Sequence, residues 1–363
     1  MNRSIYLLKR LALAVPVMLF GLTVSFLIMY LGPFDVVTTV LGRRASPQDI
    51  HQLKVQLHLI YPNGNPVPLW RQYIEVMWEL FTFNFGQSWI VQRGTDATAL
   101  IWGRMSATVW LGFWSLLIAL LFGIPIGLYA GLRANTYRDY AASGFGIVWR
   151  AMPNFWLAVM LSGLITAGGA LSWYRGFLVK TDVVGTPDAL GHLFGGWAPF
   201  AGMPILGALW LPIPNLHPLA IAFKWILPAA LVLGSSSMGN EVRIGRTAVL
   251  ESINSKYVET AKAKGLSSRR IIAKHVGRNA VVPLLPVIMG EFYLLIGGSV
   301  LVESVFSING LGNLFFHAAL GPDVPLVMAL VYIFIIIQIV FNITQDLLYT
   351  FIDPRISLEG AEN

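Results

Sequence analysis

Two ionisable side chains stand inside long apolar runs of this sequence: Glu291, in a run over residues 281–302, and Arg150, in one over residues 142–174. A charge at the centre of a bilayer-spanning helix costs about 2.5–3.5 kcal/mol on insertion scales, so such groups face a bundle interior or an aqueous cavity. Glu291 therefore has two readings. It lines a path and contacts a cationic or hydroxylated substrate, with Arg150 as its resting partner, or it is an internal acid that holds helices in register. Other chemistry is sparse. The six histidines, His51, His58, His192, His217, His275 and His317, are scattered and do not group as metal ligands. Cysteine is absent, which excludes disulfides, thiolate nucleophiles and cysteine-ligated metal. The sequence also lacks a G-x-x-x-x-G-K-[ST] phosphate loop, a His-Glu-x-x-His pair and a Gly-x-Ser-x-Gly elbow, so any ATP must be bound by another chain.

The elements that position these residues follow from composition. Of 363 residues, 56% are hydrophobic and only 12% charged, and the mean hydropathy is +0.66; soluble chains spend about a quarter of their residues on charge. A bilayer core needs roughly 20 apolar helical residues per crossing. Six runs qualify, over residues 11–34, 105–132, 142–174, 219–240, 281–302 and 324–345, and they predict an all-α polytopic membrane protein with six transmembrane helices. Residues 189–223 are also free of Lys, Arg, Asp and Glu, but Pro199, Pro204, Pro212, Pro214 and Pro218 interrupt them. A proline costs a helix about 3 kcal/mol, so this stretch reads as an outer loop. Arg3, Lys9 and Arg10 ahead of the first run resemble a signal peptide, yet the run is long and ends without a small-x-small site. It reads as a retained span.

Residues 241–280 hold nine of the 25 Lys and Arg against three Glu, whereas residues 303–323 hold none. This positive-inside asymmetry puts both termini in the cytoplasm and assigns the excess positive charge to anionic lipid rather than nucleic acid. The expected organisation is residues 1–32 as the N-terminus and first span and 33–104 as an extracytoplasmic subdomain. Residues 105–350 form the core, with an external loop at 173–218 and a cytoplasmic loop at 241–280, and 351–363 form the tail. Within the first external segment, residues 46–60 predict a helix capped by Ser46 with Pro47 at its first position, YPNGNPVP a turn, and residues 69–81 a second helix. Trp70, Trp78, Trp89, Trp173, Trp197 and Trp210 fit an interfacial belt, with sugar stacking as an alternative. Pro125, Gly127 and Pro153 mark kinks or hinges within spans.

The loop over residues 241–280 contains YVETAKAKGLSSRRIIAKHVGRN. Ser255 can cap a short helix over residues 256–264, Gly265 ends it, and Ser267 or Ser268 caps a second. With small Ala261 and Ala263, the first helix could enter a groove on another protein; equally, it is a basic helix-turn-helix on lipid headgroups.

These residues resemble the EAA motif of binding-protein-dependent ABC transporter permeases, through Glu259, Ala261 and Gly265. Tyr257, Ala263 and Lys264, followed by His275, Arg278, Asn279 and Pro283, are similar to the oligopeptide/dipeptide/nickel branch. The opening span resembles that family's, as do Glu303-Ser304-Val305-Phe306 with Gly310-Leu311-Gly312. Asp323, Pro325, Asn342, Asp346, Tyr349 and Asp353-Pro354-Arg355 match its closing span and tail. Asn309 and Phe34 depart from the usual Pro and Gly, and residues 173–218 are longer than usual.

The resemblance implies a type I ABC importer permease of the B type, paired with a C-type permease subunit, two cytoplasmic ABC ATPases and an external binding protein. The chain would bind no cofactor and catalyse nothing, ATP being used by partner subunits. Tyr257, Glu259, Ala261, Ala263, Lys264 and Gly265 would form the ATPase-coupling helix. Oligopeptides or dipeptides are the expected cargo, with oligosaccharides as the alternative. A secondary transporter or channel would show inverted repeats and more intramembrane charge, and a membrane-embedded enzyme would show clustered catalytic residues; neither pattern is evident.

Overall fold

The computed structural model describes residues 3–32, 36–42, 45–166, 168–174, 216–280 and 282–352. Among them the secondary structure is helical, apart from isolated bridges joining Ile60 to Pro66 and Gln87 to Asp96. Most of the proline-rich loop expected at 173–218 and the tail beyond residue 352 lie outside the described residues.

The chain forms two compact units. The first comprises Met1–Met105, Asn313–Thr344 and Leu358–Asn363. It contains α1 (Arg3–Leu31), α2 (Val36–Leu41), α3 (Pro47–Gln56) and α4 (Leu69–Phe81). Ser46 caps α3 as expected, accepting from the Asp49 amide at 3.2 Å, with Pro47 inside the first turn. The helix ends at Gln56, four residues short of expectation, because His58 takes a left-handed φ of 56°. The expected turn follows, closed by the Tyr61 amide on Asn65 O at 2.8 Å, and α4 has the bounds read from sequence. The core of this unit is mostly aliphatic, with aromatic contacts at its edge: Phe26 stacks on Tyr30 at 4.2 Å, and the Tyr332 ring meets Phe81, Phe83 and Phe85 at 5.8 to 6.0 Å. Trp70, Ile74 and Trp78 form an exposed apolar stripe on α4, as an interfacial belt requires.

The second unit comprises Ser106–Gly312 and Gln345–Ser357. Here α5 (Ala97–Ile118) runs through a wider π-type turn, Ala119–Gly123, into α6 (Ile124–Leu132). Pro125 sits at the start of α6, where the π turn accommodates its missing N–H, so the helix continues through the proline. α7 (Tyr137–Arg150) and α8 (Asn154–Ile165) meet at 92° across a break containing Pro153, within the run expected as the third span. α9 (Leu216–Ile253) has 38 residues, about 57 Å at 1.5 Å per residue. It extends 13 residues past the expected end of the fourth span, so the front of the supposed cytoplasmic loop is helix. α6 lies close along α9: a Cβ on Gly127 would fall 2.7 Å from Val242 O. Glycine therefore sets this backbone approach, as small residues do between membrane helices. α10 (Lys256–Ala263), a turn at Ser268–Arg270 and a π segment at Ile271–Gly277 follow, then α11 (Leu285–Val305). α12 (Leu311–Leu320) and α13 (Val324–Ile352) follow, with Asn313–Thr344 counted in the first unit.

Among the described residues three helical segments are long and apolar enough to cross a membrane, Lys9–Leu31, Ala97–Leu132 and Val324–Leu348, and the bent α7–α8 pair is a fourth where its two arms count as one span. α9 is less apolar on average because it carries Lys224, Glu241, Arg243, Arg246, Glu251 and the Ser235-Ser236-Ser237 run. The fold is thus polytopic and membrane-embedded.

Candidate functional site

The EAA-like segment folds from its own residues. Ser255 stands at the N-cap of α10 with extended backbone angles, but its hydroxyl donates to Ser252 O at 2.6 Å and leaves the helix amides uncapped by it. This corrects the sequence expectation: the carbonyl of the preceding turn is the nearer partner. Ser267 likewise precedes the next turn without a side-chain cap. The C-terminus behaves as expected. Gly265, at φ +71°, donates to Lys262 O at 2.9 Å, and Leu266 donates to Ala261 O at 3.3 Å. This is a Schellman motif, whose left-handed position favours glycine.

Val258 and Ala261 of α10 are buried against Ala248, Val249, Ile271, Val276 and Ala280, with Leu266 packed alongside. Tyr257, Glu259, Ala263, Lys264 and Gly265 remain exposed. The two alanines therefore separate: Ala261 anchors the helix to its own chain, and Ala263 belongs to the presented face. The base is fixed by Asp139 in the first turn of α7. Its carboxylate is buried and receives Arg246 Nε at 2.6 Å and Nη2 at 2.8 Å, the Asn135 amide at 2.8 Å and the Ser143 hydroxyl at 3.3 Å. Sequence reading counted Arg246 only as topogenic charge; the structure makes it a tie between α7 and α9.

Glu291 is 3% exposed and accepts a hydrogen bond from the Ser237 hydroxyl. Beside it stands a residue missed at first, Glu241, fully buried on α9. No described N–H or O–H donor reaches either Glu241 oxygen. Arg150 donates to Asn240 Oδ1 at 3.0 Å, next to Glu241, and among the described residues no ion pair joins it to Glu291. Arg150 and Glu291 thus occur in one neighbourhood, with Glu241, Ser237 and Asn240 between them. The available signal was a run of three serines one turn before an acid in an apolar helix.

The Glu303 segment is also built. Glu303 is fully buried, Thr108 donates to its Oε1 at 2.9 Å, and the Leu311 amide donates to Thr108 Oγ1 at 2.7 Å. A Cβ on Gly310 would fall 2.5 Å from Glu303 Oε2, so the Gly-Leu-Gly turn closes directly over this carboxylate. In the first unit, Asp323 is fully buried and accepts from the Trp89, Ile90 and Val91 amides at 3.0 Å.

These buried acids tie one element to another: Glu291 joins α11 to α9 through Ser237, Glu303 joins α11 to α5 through Thr108, and Asp323 holds the amides of residues 89–91. The family model described as "Binding-protein-dependent transport system inner membrane component" matches residues 123–358. The chain is 30% identical over 352 residues to the oligopeptide transport system permease protein AppB of Bacillus subtilis, covering 97% of this chain and 98% of that protein. It is 30% identical over 357 residues to the dipeptide transport system permease protein DppB of Escherichia coli K12, with the same coverage. A third relative, the dipeptide permease protein DppB of Alkalihalophilus pseudofirmus, is 30% identical over 355 residues, again with 97% and 98% covered. The motifs read from the sequence, the helical membrane-embedded fold and these matches agree, and the chain belongs to the family of binding-protein-dependent transport system inner membrane components.

Proposed function

We propose that this chain is the B-type permease half of an ATP-driven peptide importer, taking oligopeptides or dipeptides from an external binding protein. Its core pairs with a C-type subunit, and two cytoplasmic ATPases supply the motion. Six spans with both termini cytoplasmic fit the positive-inside asymmetry, with α7–α8, α9 and α11 as spans three, four and five. On this reading residues 33–104 form the extracytoplasmic subdomain, residues 105–350 the core and residues 351–363 the cytoplasmic tail. Tyr257, Glu259, Ala263, Lys264 and Gly265 on α10 present the coupling surface, and Ala261 anchors it. The chain itself holds no cofactor; ATP is used on the partner subunits.

The observation that carries this reading is the construction of α10: an exposed helix face, held from beneath by a small core and ended by a Schellman turn. A rigid lever of this kind transmits ATPase closure into the spans, a rigid-body transition biased by ligand. Glu291, with Glu241 and Arg150, lines the path. Peptide cargo is supported by the names of the relatives. Reconstitution with both ATPases, the C-type subunit and the binding protein in liposomes tests it: ATP-dependent uptake of a labelled di- or oligopeptide is expected. Uptake of oligosaccharide alone, or uptake without ATPases, contradicts it.

A further inference from the structure

A surface helix usually divides its circumference in two, a packed face and a polar one, but α4 divides it in three. At about 100° per residue, Trp70, Ile74, Trp78 and Phe81 fall within about 80° of one another, and Arg71, Glu75 and Glu79 fill the sector beside them. Gln72, Met77 and Leu80, all buried, lie in the remainder. The first sector is bare: Trp70 is 66% exposed, Ile74 57% and Trp78 71%. An apolar strip with a charged strip along its side, and protein behind both, suits a helix that meets hydrocarbon and water at once.

The contacts of α4 give its depth. Near its start, Tyr73 shares a hydrogen bond with Thr23 of α1 at 2.8 Å and stands edge-on to Phe26 at 5.3 Å. At its end, Phe81 stands edge-on to Tyr332 of α13 at 5.9 Å. Tyr30 and Val324 line one cleft, so the Leu31 end of the first span and the Val324 end of the last lie on the same side. Thr23 and Tyr332 are each eight residues from those ends, about 12 Å along the helix axis. The register agrees, since a Cβ on Gly21 would fall 3.0 Å from Ile335 Cδ1. Both ends of α4 are therefore tied at one level, inside the outer part of a hydrocarbon core about 30 Å thick.

We propose that α4 is embedded in the bilayer, lying flat in the leaflet at the Leu31 end of α1. Its partner is the acyl layer, which covers Trp70, Ile74 and Trp78, while Arg71, Glu75 and Glu79 turn to headgroups and water. This makes α4 the lipid-seated floor of the segment over residues 33–104. The proposal rests on α1 and α13 as spans and not on the cargo or on α10.

The sequence has no cysteine, so nitroxide labels can be placed one at a time. Trp70→Cys, Ile74→Cys and Trp78→Cys are labelled in the full chain, in its transporter complex in phosphatidylcholine liposomes, and power saturation measures collisions with oxygen and with a water-soluble nickel chelate. Phe20→Cys, on an exposed position of α1, is the lipid reference and His51→Cys, on an exposed position of α3, the water reference. The oxygen-to-nickel ratio at positions 70, 74 and 78 should approach that of Phe20→Cys and exceed that of His51→Cys at least about fivefold. Glu75→Cys, one residue from Ile74, should fall with His51→Cys, a contrast that a misfolded helix cannot produce. Ratios at 70, 74 and 78 equal to that of His51→Cys would put α4 in water, and labels shielded from both reagents would put it against another subunit; either result overturns the proposal. The ratios are read without cargo or ATP, so their failure leaves the proposed function standing, and failed peptide uptake leaves the ratios standing.

Discussion

Arg246 meets Asp139 as a two-pronged donor, Nε at 2.6 Å from one carboxylate oxygen and Nη2 at 2.8 Å from the other, across 107 residues of sequence. The carboxylate is 1% exposed and the guanidinium 28%, so this pair is shielded from the screening that makes surface pairs weak. It holds the first turn of α7 to the end of α9, directly behind the segment that carries α10.

Removing Asp139 strands a charge-assisted donor. Asp139→Ala should cost about 1.5–3 kcal/mol, the range of hydrogen bonds to charged groups, since Arg246 keeps some water. Arg246→Lys, a point donor without the fork, should fall between wild type and Asp139→Ala. Thermal unfolding in detergent measures both; equal melting of all three proteins would show that the pair contributes no stability.

The alanines of α10 should respond oppositely to enlargement. Ala261→Leu overpacks a buried position and should destabilise by about 1–3 kcal/mol. Ala263→Leu touches nothing buried, so melting should be unchanged while recovery of the ATPases with the complex falls. Melting curves and pull-down yields on the two variants check this, and a normal ATPase yield for Ala263→Leu counts against the docking role.

Thr108 links Glu303 to the Leu311 amide, so Thr108→Val removes two hydrogen bonds and should cost about 2 kcal/mol. Gly310→Ala should be more damaging, because its methyl would enter the space of the carboxylate. Thr108→Ser restores the hydroxyl and should recover stability. Membrane yield and melting temperature of the three variants decide it; a Ser variant no better than Val would point to lost methyl packing.

Asp323 holds residues 89–91 by their amides. Asp323→Ala leaves four donors, the Ser88 hydroxyl and three amides, without this acceptor and should expose the 86–96 turn to limited proteolysis well before the helices are cut. Protection equal to wild type would mean that other contacts hold the turn.

What was legible in the sequence was local. The Ser46 cap, the YPNGNPVP turn, α4 and the Gly265 stop depend on residues within a few positions of one another, and the structure has all four. Pro153 announced a break, but its 92° bend depends on how α7 and α8 pack. Ser255 failed as a side-chain cap because a competing carbonyl lay one turn back. The long-range links were invisible: nothing near Arg246 names Asp139, and nothing near Trp89 names Asp323. Glu241 was read as a loop acid because the apolar run stops at Asn240, while the helix continues to Ile253 and buries it.

The sequence contains no cysteine, so single-cysteine variants report without background. The most direct test of coupling through α10 is cross-linking from Ala263→Cys and Glu259→Cys in the assembled transporter with a short bifunctional thiol reagent, using ATPases with one cysteine beside their proposed docking groove. Adducts with the ATPase that change in yield when nucleotide is added are the expected result. No adduct from either position, with adducts formed instead from His51→Cys in the segment assigned to the opposite side, would contradict the account.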